Sequence, residues 1–135
     1  MLPSTSSTAV GPLRVLVVED ENLIRWAVAE TLTDAGHTVI EAPDAATALR
    51  AVDQTSERFD VVVLDFRLPD SDDLSLVERI RRQAPSSAIV MMTAFGTSQM
   101  TEAAKVAGVY EVIGKPFDVG AVAELVAEAH ASKQA

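Results

Sequence analysis

Val61-Val62-Val63-Leu64-Asp65 is the stretch that decides the fold. Four apolar residues run without a break, three of them β-branched, and an acid follows. β-Branched side chains fit a pleated surface better than a helix. A run this short and this apolar reads as a strand buried on both faces, and a doubly covered strand belongs to the centre of a parallel sheet. Asp60 leads into it, and Asp65 stands where it ends.

The same pattern extends outward in both directions. Upstream, Leu13 to Val18 is a second apolar run, and from Asn22 to Ala35 apolar residues return at helical spacing (Leu23, Ala27, Leu32) before Gly36, a C-cap residue. Thr38 to Glu41 is a short strand, and Asp44 can N-cap a helix reaching Gln54. Downstream, Leu74, Leu76, Val77 and Ile80 mark a helix that ends before Pro85. Ala88 to Met92 is a strand, and Ser98 to Ala107 a helix closed by Gly108. Val109 to Ile113 is a strand, and Asp118 opens a last helix along Val119, Val122, Val126 and Ala129. Strand and helix thus alternate five times. The expected fold is α/β, a doubly wound parallel sheet of five strands with helices on both faces. Ligands of such folds bind beyond the C-terminal ends of the strands.

Bulk properties narrow the function classes. The chain has 135 residues, 48% hydrophobic and 23% charged, which suits one soluble globular domain. Without cysteine there is no disulfide scaffold, thiolate metal site or Cys nucleophile. No signal-peptide pattern opens the chain and no apolar run is long enough for a membrane span, so a cytoplasmic location is expected. The net charge of -9 argues against direct nucleic-acid binding, which draws on Lys and Arg. Residues 1–12 read as a disordered tail, 13–131 as the domain, and 132–135 as a C-terminal tail.

The strand ends carry the chemistry. Glu19, Asp20 and Glu21 follow the first strand, Asp65 the third, Thr93 the fourth and Lys115 the fifth. Each has a bland reading. Asp20 and Glu21 could cap the first helix, Asp65 could start a turn, Thr93 could be a strand-end residue and Lys115 a solvated one. Together they deliver carboxylates, a hydroxyl and an ammonium to one rim. Carboxylates held close repel, so they protonate or take a cation. Oxygen-only ligands favour a hard cation, Mg2+ above all. A carboxylate beside such a metal can attack phosphorus, with Thr93, Lys115 and the metal facing the transferring oxygens.

Four blocks then resemble a known family: Val17-Val18-Glu19-Asp20-Glu21, Leu64-Asp65-Phe66-Arg67-Leu68-Pro69-Asp70, Met92-Thr93-Ala94 and Lys115-Pro116-Phe117. In order and spacing they are similar to the response-regulator receiver domains of two-component signalling, over residues 13–131. The resemblance implies a flavodoxin-like sheet of order 2-1-3-4-5. It implies a phosphoacceptor at Asp65, charged by a histidine kinase or histidine phosphotransfer protein, rather than an enzyme. Its Mg2+ would be held by Asp20, Asp65 and the Arg67 backbone carbonyl, with Glu19 acting through water. Thr93 and Lys115 would contact the phosphoryl group, and the Lys115-Pro116 bond would be cis. A downstream effector or a homodimer would use the face of the fourth helix, fifth strand and fifth helix.

The sequence departs from the family pattern twice. Val112 stands three residues before the lysine, where a switch aromatic is usual, while Tyr110 lies five before it. Asp73 replaces the usual Gly eight residues after the phosphoacceptor, either as a cap for the third helix or as a charge opposing phosphorylation. The alternative is therefore a degenerate receiver that works as a phosphorylation-independent interaction module. A dehalogenase-type phosphatase would need an acid where Arg67 stands. A flavin carrier would need a Ser/Thr/Gly loop where Glu19-Asp20-Glu21 stands. His37 and His130 read as surface residues. The Met92-Thr93-Ala94-Phe95-Gly96 block is similar to receivers joined to DNA-binding outputs, so both a stand-alone regulator and a piece of a longer one stay open.

Overall fold

The computed structural model describes residues 12–54, 56–94 and 96–134. The expected N-terminal tail lies outside them except for Pro12. The chain order is β1 (Arg14–Val18), α1 (Asn22–Asp34), β2 (Thr38–Ala42), α2 (Ala45–Gln54), β3 (Val61–Asp65), α3 (Ser75–Gln83), β4 (Ala88–Thr93), α4 (Ser98–Ala107), β5 (Glu111–Gly114) and α5 (Val119–Gln134). All five strands are parallel, in the order β2-β1-β3-β4-β5.

Alternation along the inner strands builds two cores. Leu16 and Val18 of β1, Val62 and Leu64 of β3, and Ile89 and Met91 of β4 pack on one face with Ala48 of α2, Val77 and Ile80 of α3, and Ala104 of α4. Val15 and Val17, Val61 and Val63, and Val90 and Met92 point the other way, onto Val28 and Leu32 of α1 and Val122, Val126 and Ala129 of α5. Every residue of β3 and β4 is buried. Each large side chain taken fully from water contributes roughly 1.5–3 kcal/mol, which is why these strands had to be apolar on both sides.

The edges differ from the expectation of strands apolar throughout. Three of the five residues of β2 are exposed, and β5 is half-buried. An edge strand has a neighbour on one side only, so its pattern is weaker. β5 also starts later than expected, at Glu111. Gly108, at φ 114°, ends α4, and Val109 N–H turns back to the Ala104 carbonyl (3.0 Å) before the strand begins. At the other end α5 continues to Gln134, past residue 131, with the Ser132 hydroxyl donating to the Ala129 carbonyl at 2.8 Å.

α1 ends in a Schellman turn. Gly36 takes φ 99°, its N–H meets the Thr33 carbonyl (2.9 Å) and His37 N–H meets that of Leu32 (3.1 Å). This turn tucks His37 beneath the sheet, which corrects its reading as a surface residue. His37 is buried, and its Nδ1 accepts the Leu13 N–H at 3.1 Å. His130, on α5, is half-buried.

Candidate functional site: an acidic cluster at the sheet's switch point

The chain passes from β1 to β2 on one side of the sheet and returns to β3 on the other. The crevice between the C-terminal ends of β1 and β3 is the topological switch point, where this class of fold binds ligands. Glu19 and Asp20 leave β1 there, and Asp65 ends β3 beside them. Oxygen atoms of the three carboxylates lie within 4.8 Å of one another. Glu19 and Asp65 are buried and Asp20 is exposed.

Lys115 reaches in from the end of β5. Its Nζ lies 2.7 Å from Glu19 Oε1 and 3.2 Å from Asp65 Oδ2. Two main-chain bonds set that reach: Lys115 N–H donates to the Thr93 carbonyl (2.7 Å), and Phe66 N–H donates to that of Met92 (2.9 Å). The Lys115-Pro116 bond is cis, as the resemblance implied. Thr93 is buried at the end of β4, between the strands that deliver Asp65 and Lys115. Arg67 N–H donates to Asp65 Oδ1 at 3.4 Å, which turns the Arg67 main chain over the acid.

The electrostatics are those of crowded carboxylates, two buried and one exposed. Burial pushes Glu19 up to about 7, the Asp65 charge adds to the rise, and the Lys115 ammonium and Glu21 N–H oppose it. Burial alone would lower Lys115. Its hydrogen bond to Glu19 and the Asp65 charge outweigh that and raise it above the usual lysine range. A cation in the crevice would stabilise every carboxylate in its ionised form. The donors are all oxygen, which fits a hard divalent ion and no soft one.

The bland readings fare differently. Glu21 occupies the N-cap position of α1 yet makes no side-chain cap bond, so the acidic run is not spent on capping there. Its N–H instead donates to Glu19 Oε2 at 3.0 Å. Asp73 accepts the Ser75 N–H at 2.9 Å at the start of α3, and hydrogen bonding by Ser75 holds it below the usual carboxylate range. Leu74, not Asp73, is the N-cap of α3 and has no side-chain cap bond, so Asp73 makes a local turn just ahead of the helix. Asp44 and Asp118 cap as expected, accepting from Thr47 N–H (2.7 Å) and Gly120 N–H (3.0 Å). Val112 is half-buried against the core, and Tyr110 is at the surface.

Two structural residues escaped the sequence. Asp70 accepts the N–H groups of Ala45 (2.8 Å) and Ala46 (3.0 Å), tying the loop after Asp65 to the start of α2. Arg25 places its guanidinium on the Glu19 carbonyl at 2.8 Å. No local signal marks either, because the partners are distant in sequence or are main-chain atoms.

Comparison with known proteins bears on the family and the fold. Residues 15–127 match the response regulator receiver domain family. The transcriptional regulatory protein PdtaR of Mycobacterium tuberculosis is 35% identical over 120 residues, covering 87% of this chain and 56% of that protein. The chain therefore spans about half the length of this relative. A CheY-like receiver domain protein from Methanospirillum hungatei superposes with a TM-score of 0.84 at 23% identity, covering 92% of this chain and 98% of that one, which bears on the fold. The beryllofluoride-activated NtrC4 receiver domain dimer superposes with a TM-score of 0.82 at 28% identity, covering 89% and 98%. With the family matched across most of its length and the acidic crevice at the strand ends, the chain belongs to the response-regulator receiver domains.

Proposed function

We propose that the crevice is a Mg2+-dependent phosphoacceptor site in which Asp65 is the nucleophile. One observation carries the reading: Glu19, Asp20 and Asp65 converge within 4.8 Å, with the Lys115 ammonium against two of them. Nothing in the packing of the domain requires three acids at one end of the crevice. Their mutual repulsion is a cost that a bound cation would offset.

Each residue then has a task. Asp20, Asp65 and the Arg67 carbonyl would hold the ion directly, and Glu19 would act through water. Mg2+, when bound, neutralises charge on the phosphoryl oxygens. The Asp65 oxygen attacks phosphorus, and the donor's leaving group departs on the opposite side with the bonding pair. Lys115 now bridges Glu19 and Asp65, and it shifts its contact to a phosphoryl oxygen. The Thr93 hydroxyl donates to another. The donor is a histidine kinase or a histidine phosphotransfer protein. The domain works as a phosphoacceptor and leaves the output to a partner, either an effector or a second receiver docked on the α4–β5–α5 face. NtrC4, similar in sequence and fold, forms a receiver dimer in its activated state.

Incubation with acetyl phosphate and Mg2+, read by intact mass, tests the proposal. Wild type should gain one phosphoryl group, and Asp65→Asn or omission of Mg2+ should prevent it. A wild type that gains nothing from acetyl phosphate or from a small histidine-phosphate donor is the degenerate interaction module instead.

A further inference from the structure

We propose that Arg25 is the positioning residue of the metal-binding loop, fixing Glu19 and Asp20 through the loop's main chain; this rests on the Mg2+ reading above. The loop after β1 must hold two acids in place against their own repulsion. Glu19 is pinned at every polar atom. Its N–H donates to the Ala42 carbonyl at 3.0 Å. Its Oε1 takes Lys115 Nζ (2.7 Å), and its Oε2 takes the Glu21 N–H (3.0 Å). Its carbonyl takes one guanidinium nitrogen of Arg25 at 2.8 Å. Asp20 follows directly, exposed, so its placement depends on the residues on either side.

Arg25 is suited to hold that carbonyl. It sits at the end of the first turn of α1, a helix anchored in the core by Val28 and Leu32. The same guanidinium also donates to Glu41 Oε1 on β2 (3.1 Å) and to Asn22 Oδ1 (2.8 Å). Three acceptors on a loop, a strand and a helix start thus share one planar fork. The side chain is 17% exposed, far less than is usual for a surface arginine. Glu41 neutralises the guanidinium locally, so the fork can sit beside a cation site without adding an unbalanced positive charge. A lysine has one compact ammonium and cannot span the three acceptors.

The test uses the full chain and Mg2+ alone. Calorimetric titration of wild type, Arg25→Met, Arg25→Lys and Glu41→Gln gives the dissociation constants. Melting temperatures without Mg2+ serve as the structural control. Residues that orient metal ligands typically change metal affinity by about 10-fold or more, so Arg25→Met should weaken Mg2+ by about that factor, with Arg25→Lys restoring only part. Glu41→Gln leaves the guanidinium on the Glu19 carbonyl and should weaken Mg2+ less than Arg25→Met. With Mn2+ as a paramagnetic probe, the amide signals of Glu19 and Asp20 should broaden less in Arg25→Met than in wild type at equal occupancy. A role in helix stability alone would leave that signature unmoved. Wild-type affinity in a folded Arg25→Met protein overturns the proposal and leaves the phosphoacceptor reading intact. If that variant does not fold, wild-type affinity in Arg25→Lys does the same. Failure of the wild type to bind Mg2+ overturns both.

Discussion

At the scale of single residues, the site combines groups whose states depend on their neighbours. Glu19 is a buried acid held near neutrality's edge by burial and by Asp65, and Lys115 is the cation that keeps the crevice compact. At the opposite end of the sheet His37 shows the same principle without a ligand. Its Nδ1 accepts the Leu13 N–H, so that nitrogen must be unprotonated in the native state. Burial lowers its pKa below the usual 6.5, with Asp60 opposing and His130 adding to the fall. The unfolded chain therefore binds more protons between the native pKa and the ordinary one. Stability rises with pH across that window and is lost as pH falls through it. In His37→Gln this loss should be absent. Denaturant unfolding from about pH 7.5 down to about 5 should show wild type losing stability relative to the variant below its ordinary histidine pKa of about 6.5. A pH-independent difference would contradict the account. None of this was visible in the sequence, where a lone histidine after a glycine reads as solvated. Its partner lies 24 residues away and is a main-chain atom.

At the scale of elements, legibility follows burial. β1, β3 and β4 announce themselves because a strand covered on both faces carries an unbroken apolar run, with polar residues only at its ends. β2 and β5 were harder to delimit because edge strands keep exposed positions. The site residues were legible for a topological reason: a parallel sheet brings all its C-terminal strand ends to one rim. The output is a matter of elements too. Val112 on β5 has no ring to swing inward, and the expected route is then the β4–α4 connection. Thr93 ends β4, Gly96 packs so close that an added Cβ would meet the Thr93 methyl at 3.1 Å, and the Thr97 hydroxyl caps α4 by accepting Met100 N–H at 3.1 Å. Phe95, in the same connection, lies outside the described residues. Binding of beryllofluoride with Mg2+ should shift the amide signals of Ala94, Gly96 and Thr97 strongly, and those of Tyr110 and Val112 weakly. A connection that stays unchanged would sink this route.

At the scale of the whole molecule, the two cores and the crevice divide the work. The apolar faces of α1 and α5 on one side and of α2, α3 and α4 on the other supply rigidity. The C-terminal rim then gathers charged groups that packing does not need. No helix among the described residues is long and apolar enough to cross a membrane. Whether Asp65 carries a phosphoryl group is read by trapping the acyl phosphate bond. Wild type treated with acetyl phosphate and Mg2+ would be reduced with borohydride, which converts an acyl phosphate to the alcohol, and its peptides weighed. Homoserine is expected at position 65, with unchanged acids at Glu19, Asp20, Asp70 and Asp73. Reduction at another acid, or none at position 65 in protein that has gained a phosphoryl group, would contradict the Asp65 assignment.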